Sequence, residues 1–384
     1  MTRWSHDKKT TMTEPVELTM NINFNDRDLL PISEKVFAGE RLSFEDGRTM
    51  YQSHDLIGVG RIADWVRKKR YGNKAYYVYN QHINYTNVCS NMCSFCAYAE
   101  EEGSEKSYTW SVAEIKKRIL ERIHEPVREL HIVGGLNRNL TFDYFTDMLK
   151  MIRETRPQAA IKAFTAVEID YLSALSGFSL AKTVDMLKDA GLMMMPGGGA
   201  EVMSDRVHDT LFPKKIGKDR WLEVTEAVHS SGLKTNATML YGHIETIDER
   251  VNHLLMLRDL QDRTSGFSAF IPLAFHSKNT KLSHIPSTTA FDDLKTIAIS
   301  RLILDNIPHI KAYWVMIGEK LAQTALYFGA DDLDGTIIEE RITHTAGAKS
   351  AKGLSRKSME HMIESAGLVP VERDSFYNEV NEGI

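Results

Sequence analysis

The sequence predicts an α/β fold in which eight strand-helix units close into a barrel, with a helical layer before them and a helical cap after. Three observations lead there. Between residues 82 and 338, short apolar runs alternate with longer amphipathic ones, the pattern of parallel strands joined by helical crossovers. That stretch is close to the length of about 250 residues that eight such units take when they close. Capping-box pairs, Ser111 with Glu114 and Thr246 with Glu249, stand where the alternation calls for a helix to begin. The expected architecture is therefore a (β/α)8 barrel of the TIM type, with an open doubly wound sheet as the competing arrangement.

Taken in order, residues 1–81 read as an N-terminal helical extension, loose over the first 20 residues and helical in "DLLPISEKVFAGERLSFEDGRTMYQ" and "IGVGRIADWVRKKRYG". The strands expected within residues 82–338 are "HINYTNV" from His82, "ELHIVGG" from Glu129, "AIKAFTAVEI" from Ala160 and "LMMMPGGG" from Leu192. They continue with "LKTNATML" from Leu233, "FSAFIPLAF" from Phe267, "HIKAYWVM" from His309 and, with the weakest signal, "DLDGTII" from Asp332. The first crossover helix should start at Ser111 and bury Val112, Ile115, Ile119 and Ile123 on one face. Residues 339–384, with "SMEHMIESAGLVPVERDSFY", read as a helical segment packed on the barrel.

The composition narrows the class of ligand. A formal net charge of −5 speaks against a general nucleic-acid binder, which normally carries a basic excess. Apolar runs such as "LMMMPGGGA" fall far short of the roughly 20 residues that span a bilayer. No apolar core follows the basic residues at the N-terminus, so a cytoplasmic protein is expected, acting on small molecules without a membrane or nucleic-acid partner. The charge runs "VRKKRYG" and "AEEEGSEK" read as solvated faces.

All three cysteines, Cys89, Cys93 and Cys96, fall within eight residues of "NYTNVCSNMCSFCAYAE". A structural zinc site uses four ligands, usually in two pairs, and would have to borrow a histidine here. An iron-sulfur cluster normally takes four thiolates, so three leave one iron open to a small bidentate ligand. A simple electron carrier would fill that position with a fourth cysteine on a much shorter chain. The C-x3-C-x2-C spacing directly after the first barrel strand, with Phe95 before the last cysteine, resembles the motif of the radical S-adenosylmethionine enzymes. The resemblance implies a [4Fe-4S] cluster on Cys89, Cys93 and Cys96, with the open iron chelated by S-adenosylmethionine. It also implies a one-electron donor such as flavodoxin or ferredoxin, and cleavage to methionine and a 5′-deoxyadenosyl radical.

Active sites of βα barrels lie at the C-terminal ends of the strands, and the cysteine loop is at one. Gly134 and Gly135 end the second strand, where a missing Cβ lets backbone approach a ligand; by resemblance they face the methionine amino group. "PGGGAE", Pro196 to Glu201, ends the fourth strand and reads as the floor of the adenosine or substrate pocket, with Glu201 on the ribose or amino end. Glu168, at the end of strand three, is a similar candidate. Phe95, Tyr98, Thr165 and Asn236 complete the expected cofactor site. Asn236 and Thr238 share one face of strand five, and Tyr241, His243, His276 and Asn279 lie around strand ends five and six. Lys162 and Lys311 lie within strands, where pairing with a carboxylate in the lumen is the simplest reading.

A narrower resemblance covers nearly the whole chain. "HIVGGL", "IKAFTAVEI", "PGGGAE", "TNATMLYGHIET", "AFIPLAFH", "LDNIPHIKAYWVM" and "FGADDLDGT" look like the aminofutalosine synthases of the futalosine route to menaquinone. "NYTNVC" and "FCA" are shared with dehypoxanthine futalosine cyclases and deazaflavin-forming synthases, while "KAFTAVEI" and "YGHIET" favour the synthases. The resemblance implies that the adenosyl radical adds to 3-[(1-carboxyvinyl)oxy]benzoate, with aryl migration and loss of hydrogencarbonate, to give 6-amino-6-deoxyfutalosine. Residues expected near that substrate are Lys162, Arg206, Thr238, Tyr241, His243 and His276. In "GGLNRNL", Asn137 and Arg138 stand where the synthases are expected to carry His-Pro, which puts a histidine role at that corner in doubt.

Overall fold

In the computed structural model, which describes residues 23–380, seven strands pair in parallel in chain order. After β1 (Lys74–Val78), which lies apart from them, they are β2 (Asn80–Ile83), β3 (Glu129–Ile132), β4 (Ala160–Ala163), β5 (Met194–Met195), β6 (Lys234–Tyr241), β7 (Phe267–Ala274) and β8 (His309–Ile310). Register sets which side chains share a layer. His82 stands opposite His131, His131 opposite Lys162, and Lys162 opposite Met194. On the far side, Thr238 pairs with Ile271 and Leu240 with Leu273. Because side chains alternate faces along a strand, Leu240 and Thr238 point to one side of the sheet and Tyr241 to the other.

The eighth strand departs from the expectation. β9 (Asp332–Gly335) forms its ladder with β1, in a second parallel sheet of order β10-β1-β9 that includes β10 (Val369–Arg373). It meets the barrel sheet only through single bridges, Lys311 with Asp332 on one side and Gln81 with Ile338 on the other. The physical reason is a bend. Asp334 and Ile337 have φ of 65° and 49°, a left-handed conformation that breaks a strand, so the segment serves two sheets in turn. The barrel thus closes around eight segments with a ladder through seven.

The flanks also contain more than helix. The N-terminal extension has the helices Leu29–Ala38, Phe44–Gln52 and Leu56–Tyr71 but ends in β1, and the C-terminal segment adds β10 to its helix Arg356–Ser365. These two strands knit the flanks together at the N-terminal end of the barrel. The expectation of a loose start falls on residues 1–22, outside the described residues. Both expected capping boxes are present, on the helices Val112–Glu121 and Ile247–Thr264. Ile115 and Ile119 are buried as expected, whereas Ile123 lies past the helix end and is exposed.

The N-terminal end of the lumen is filled with paired charges. Lys162 Nζ is 2.6 Å from Glu129 Oε1, and Ser375 donates its hydroxyl hydrogen to Glu129 Oε2 at 2.7 Å. Lys311 Nζ is 2.6 Å from Asp334 Oδ1, and Arg373 Nε is 2.6 Å from Asp332 Oδ2. The lumen pairing expected for Lys162 and Lys311 is therefore found. Among the described residues, no helix is long and apolar enough to cross a membrane.

Candidate active site

The loop after β2 is tied down by backbone hydrogen bonds to three other segments. Cys89 N–H donates to Glu100 O at 3.1 Å, Ser90 N–H to Leu136 O at 3.0 Å, and Ser94 N–H to Leu211 O at 2.9 Å. Met92 is held at φ 45° between the first two cysteines. The result is that Cys89, Cys93 and Cys96 all line one chamber, of about 310 Å³, at the C-terminal end of the strands. Burial pushes the Cys93 thiol up to about 12 and raises Cys96 as well, so thiolates here need metal to hold them. Among the described residues no three His, Cys, Asp or Glu side chains could hold a single metal ion. Three thiolates on one chamber without a common centre fit a cluster, in which each binds a different iron.

The glycine pair proves to be a packing requirement. A Cβ on Gly135 would lie 2.3 Å from Val88 O and 2.9 Å from Cys89 Cβ, and one on Gly134 would lie 2.6 Å from the Tyr85 ring. Their N–H groups are committed too, Gly134 to Glu168 Oε1 at 3.1 Å and Gly135 to Thr86 O at 3.0 Å. The pair therefore seats the cysteine loop against the end of β3, and both glycines line the chamber beside it.

Glu168 is buried at the start of the helix Ala166–Ser176 and accepts from four donors. Thr165 supplies its N–H at 2.7 Å and its hydroxyl at 2.9 Å to Oε2, a third capping box, and the Tyr85 hydroxyl reaches Oε1 at 2.9 Å beside the Gly134 N–H. Burial raises its pKa, and these hydrogen bonds pull against the rise. Thr165, Glu168 and Gly197 to Gly199 line the chamber, as does Glu201, held at φ 51° and ion-paired with Lys215. Lys215 lies over the rings of Phe95 and Phe212, at 5.1 and 5.3 Å from their centroids. Tyr98 also lines the chamber, but its hydroxyl is bonded to Thr86 O at 3.1 Å and Tyr108 Oη at 2.6 Å.

The remaining wall is mostly apolar: Val133, Leu240, Leu273, Phe275 and Met316, with His131 at depth and His276 on the side. His276 Nε2 is 2.9 Å from Met316 O.

Other expected residues do not reach the chamber. Lys162 is spent on Glu129 at the opposite end of the lumen. Arg206, half exposed on the helix Asp205–Leu211, bonds Glu249 and Ile244 O instead. Tyr241 faces outward by strand alternation and donates to Asp293 Oδ1 at 2.8 Å. His243 is buried behind Phe275 with Nδ1 2.9 Å from Glu245 Oε2. Asn279 lies outside and bonds Thr345 O at 3.0 Å. Asn236 and Thr238 share the face of Leu240 but lie below it, with Asn236 Oδ1 and Thr238 Oγ1 buried and unpartnered.

Comparison with known proteins gives this geometry its family. Residues 83–257 match the Radical SAM superfamily, and residues 264–382 match the CofH/MqnC C-terminal region. An aminodeoxyfutalosine synthase of Thermus thermophilus is 43% identical over 92% of this chain and 96% of its own. The chain belongs to the radical SAM superfamily. A 5-amino-6-(D-ribitylamino)uracil--L-tyrosine 4-hydroxyphenyl transferase of Archaeoglobus fulgidus is 38% identical over 83% of this chain and 92% of its own. The crystal structure of methylornithine synthase (PylB) shares the fold, with a TM-score of 0.69 and 17% identity over 88% of this chain and 97% of that one. Radical SAM enzymes use a [4Fe-4S] cluster and S-adenosylmethionine, and the donor set described above fits both.

Three residues at the site were not singled out from sequence. Lys215 follows Glu201 by 14 residues and returns to it only because the helix Asp205–Leu211 turns the chain back. Tyr85 and His131 had a signal: a polar side chain on a buried strand, the argument applied to Lys162 and Asn236. Asn137, at the corner where His-Pro was expected, donates its Nδ2–H to Thr109 Oγ1 at 2.9 Å and so braces the loop.

Proposed function

We propose that the protein acts as an aminodeoxyfutalosine synthase. The observation that carries this reading is one chamber in which the three cysteines, Glu168, Glu201 and Lys215 stand beside an apolar wall of Val133, Leu240, Leu273, Phe275 and Met316. The identity to the Thermus thermophilus synthase over nearly the full length of both chains supports it. When bound, the cluster and S-adenosylmethionine supply a 5′-deoxyadenosyl radical and methionine.

In this reading Cys89, Cys93 and Cys96 hold the cluster. Thr165, Glu168, Glu201 and Gly197 to Gly199 cradle the cofactor, with Phe95 and Tyr98 walling the loop. The chain's task is then to hold the alkene of 3-[(1-carboxyvinyl)oxy]benzoate at near-attack distance, roughly 3 to 3.5 Å, and to keep water and stray C–H bonds away. Val133, Leu240, Leu273, Phe275 and Met316 do this by packing on the ring. S-adenosylmethionine, the aryl enol ether and water would together give the adduct through a bond from the adenosyl carbon to the enol-ether methylene and migration of the aryl group from oxygen to carbon. The carboxylate leaves as hydrogencarbonate, and the electron spent on the sulfonium is given back. The products are 6-amino-6-deoxyfutalosine and methionine, in the cytoplasm. Cys93 and Cys96 also border a second, outward-facing depression with Lys106 and Lys281 on its rim, which suits access by a one-electron protein donor such as flavodoxin or ferredoxin.

The test is anaerobic. Reconstituted, reduced protein is given S-adenosylmethionine and the aryl enol ether, and products are identified by mass spectrometry. An adduct carrying adenosyl and aryl groups is expected. Free 5′-deoxyadenosine with the ether untouched would overturn this substrate and turn attention to dehypoxanthine futalosine cyclisation.

A further inference from the structure

The depth of the chamber carries polar groups that the cofactor end does not use. His131 lines the chamber from β3, and its ring lies flat on that of His82 in β2, with centroids 4.5 Å apart and planes within 8°. His82 is buried, and its Nε2 has no partner. On β6, Thr238 Oγ1 and Asn236 Oδ1 also lack partners. Thr238 is directly behind the chamber wall, since a Cβ on Gly197 would lie 2.7 Å from its Cγ2. Buried polar atoms are nearly always satisfied, so an unsatisfied one directly behind the chamber wall, as at Thr238, is one that water or a bound molecule can complete.

A substrate with two carboxylates needs donors, and the chamber offers few. Lys215 is paired with Glu201 beside the cysteines. His276 commits its Nε2–H to the Met316 carbonyl at 2.9 Å. His131 brings a second imidazole to the chamber wall, from β3. Burial, His82 and Lys162 hold its pKa well below the ordinary histidine value, so it is a neutral ring with one N–H to donate.

We infer that His131 receives the ring carboxylate of the aryl substrate, with His82 stacked behind it and the ring packed on Val133, Leu240 and Leu273. This rests on the aryl enol ether being the substrate. His131 is thereby a specificity-determining residue that selects a meta-carboxylated ring over a plain phenyl ether.

Two compounds test it: 3-[(1-carboxyvinyl)oxy]benzoate and its analogue lacking the ring carboxylate, 1-carboxyvinyl phenyl ether. Their binding to cluster-loaded, unreduced enzyme with S-adenosylmethionine is measured by equilibrium dialysis. Wild type should prefer the diacid by roughly 10- to 100-fold, the range of a hydrogen bond to a charged group. His131→Gln should lose most of that preference while binding the phenyl ether as wild type does. His131→Asn is the second variant, should the first fail to fold. A variant that keeps the preference, or weakens both compounds equally, overturns the placement while leaving the activity intact. If wild type binds neither compound and forms no adduct, the substrate reading falls and the inference with it.

Discussion

The two ends of the barrel lumen both bury charged and polar side chains, and they treat them in opposite ways. At the N-terminal end each charge meets its complement: Lys162 with Glu129, Lys311 with Asp334, Arg373 with Asp332. At the C-terminal end, three thiols share an open chamber with a single ion pair, Lys215 with Glu201, and Thr238 behind the chamber wall keeps its hydroxyl oxygen unbonded. A buried charge by itself therefore marks a closed joint as readily as a site, and the open chamber beside it is what separates them.

The sharpest way to break this comparison is at the cysteines. Cys93→Ala should abolish cluster loading and formation of 5′-deoxyadenosine while leaving the circular dichroism spectrum unchanged, because nothing in the joint at the other end depends on it. Iron content and deoxyadenosine yield are the measurements. Retained deoxyadenosine formation would remove Cys93 from the ligand set.

The second prediction is the converse. Lys162→Met strands Glu129, which is fully buried, with hydrogen bonds from Ser375 at 2.7 Å and Asn80 at 3.4 Å as its remaining partners. Removing one member of a buried pair costs about 3–5 kcal/mol, and denaturant titration should show that loss. Substrate KM in the surviving folded enzyme should stay near wild type. A raised KM with stability intact would carry the site down to Lys162 after all.

Gly135→Ala should fall between these two behaviours. The added Cβ meets a backbone carbonyl at 2.3 Å, so strand end and cysteine loop must part. Overpacking of this kind costs about 1–3 kcal/mol, and here it should also lower the fraction of protein that holds a full cluster. Thermal midpoint and iron stoichiometry measured together check it.

How much of this was legible in the sequence follows the same division. Local rules carried the helices, since Ser111, Thr246 and their glutamates act within one turn. Strand alternation carried the lumen pairing of Lys162. The alternation that puts Asn236 and Thr238 on one face also carries Tyr241 to the other, where it bonds Asp293 instead of reaching substrate. What depends on a bend between sheets was out of reach: Asp334 and Ile337 at positive φ divert the eighth segment, and no residue there favours that conformation strongly enough to announce it. Arg206 shows the same limit, since its direction is decided by Glu249, which lies across the fold.

The smallest effect concerns the turn over the chamber mouth. Ile342, Thr343 and Ala346 line the chamber, and Glu340 holds their turn by accepting from Thr343 N–H at 2.7 Å and from His344 Nδ1 at 2.8 Å. The hydrogen bond to Glu340 raises the His344 pKa above its ordinary 6.5. Burial pushes Glu340 up, but His344 and the Thr343 N–H outweigh it and hold the carboxyl below 4.5. The histidine's contribution is complete below pH 6.5 and fades as pH rises through its raised value. The carboxylate's is complete above pH 4.5 and fades as pH falls through its lowered one. The turn should therefore be held best between those limits and loosen slightly above them. Hydrogen exchange of residues 340–346 against pH should show that slope in wild type, and His344→Gln should flatten it. A slope that survives the substitution would assign the pH response to another group.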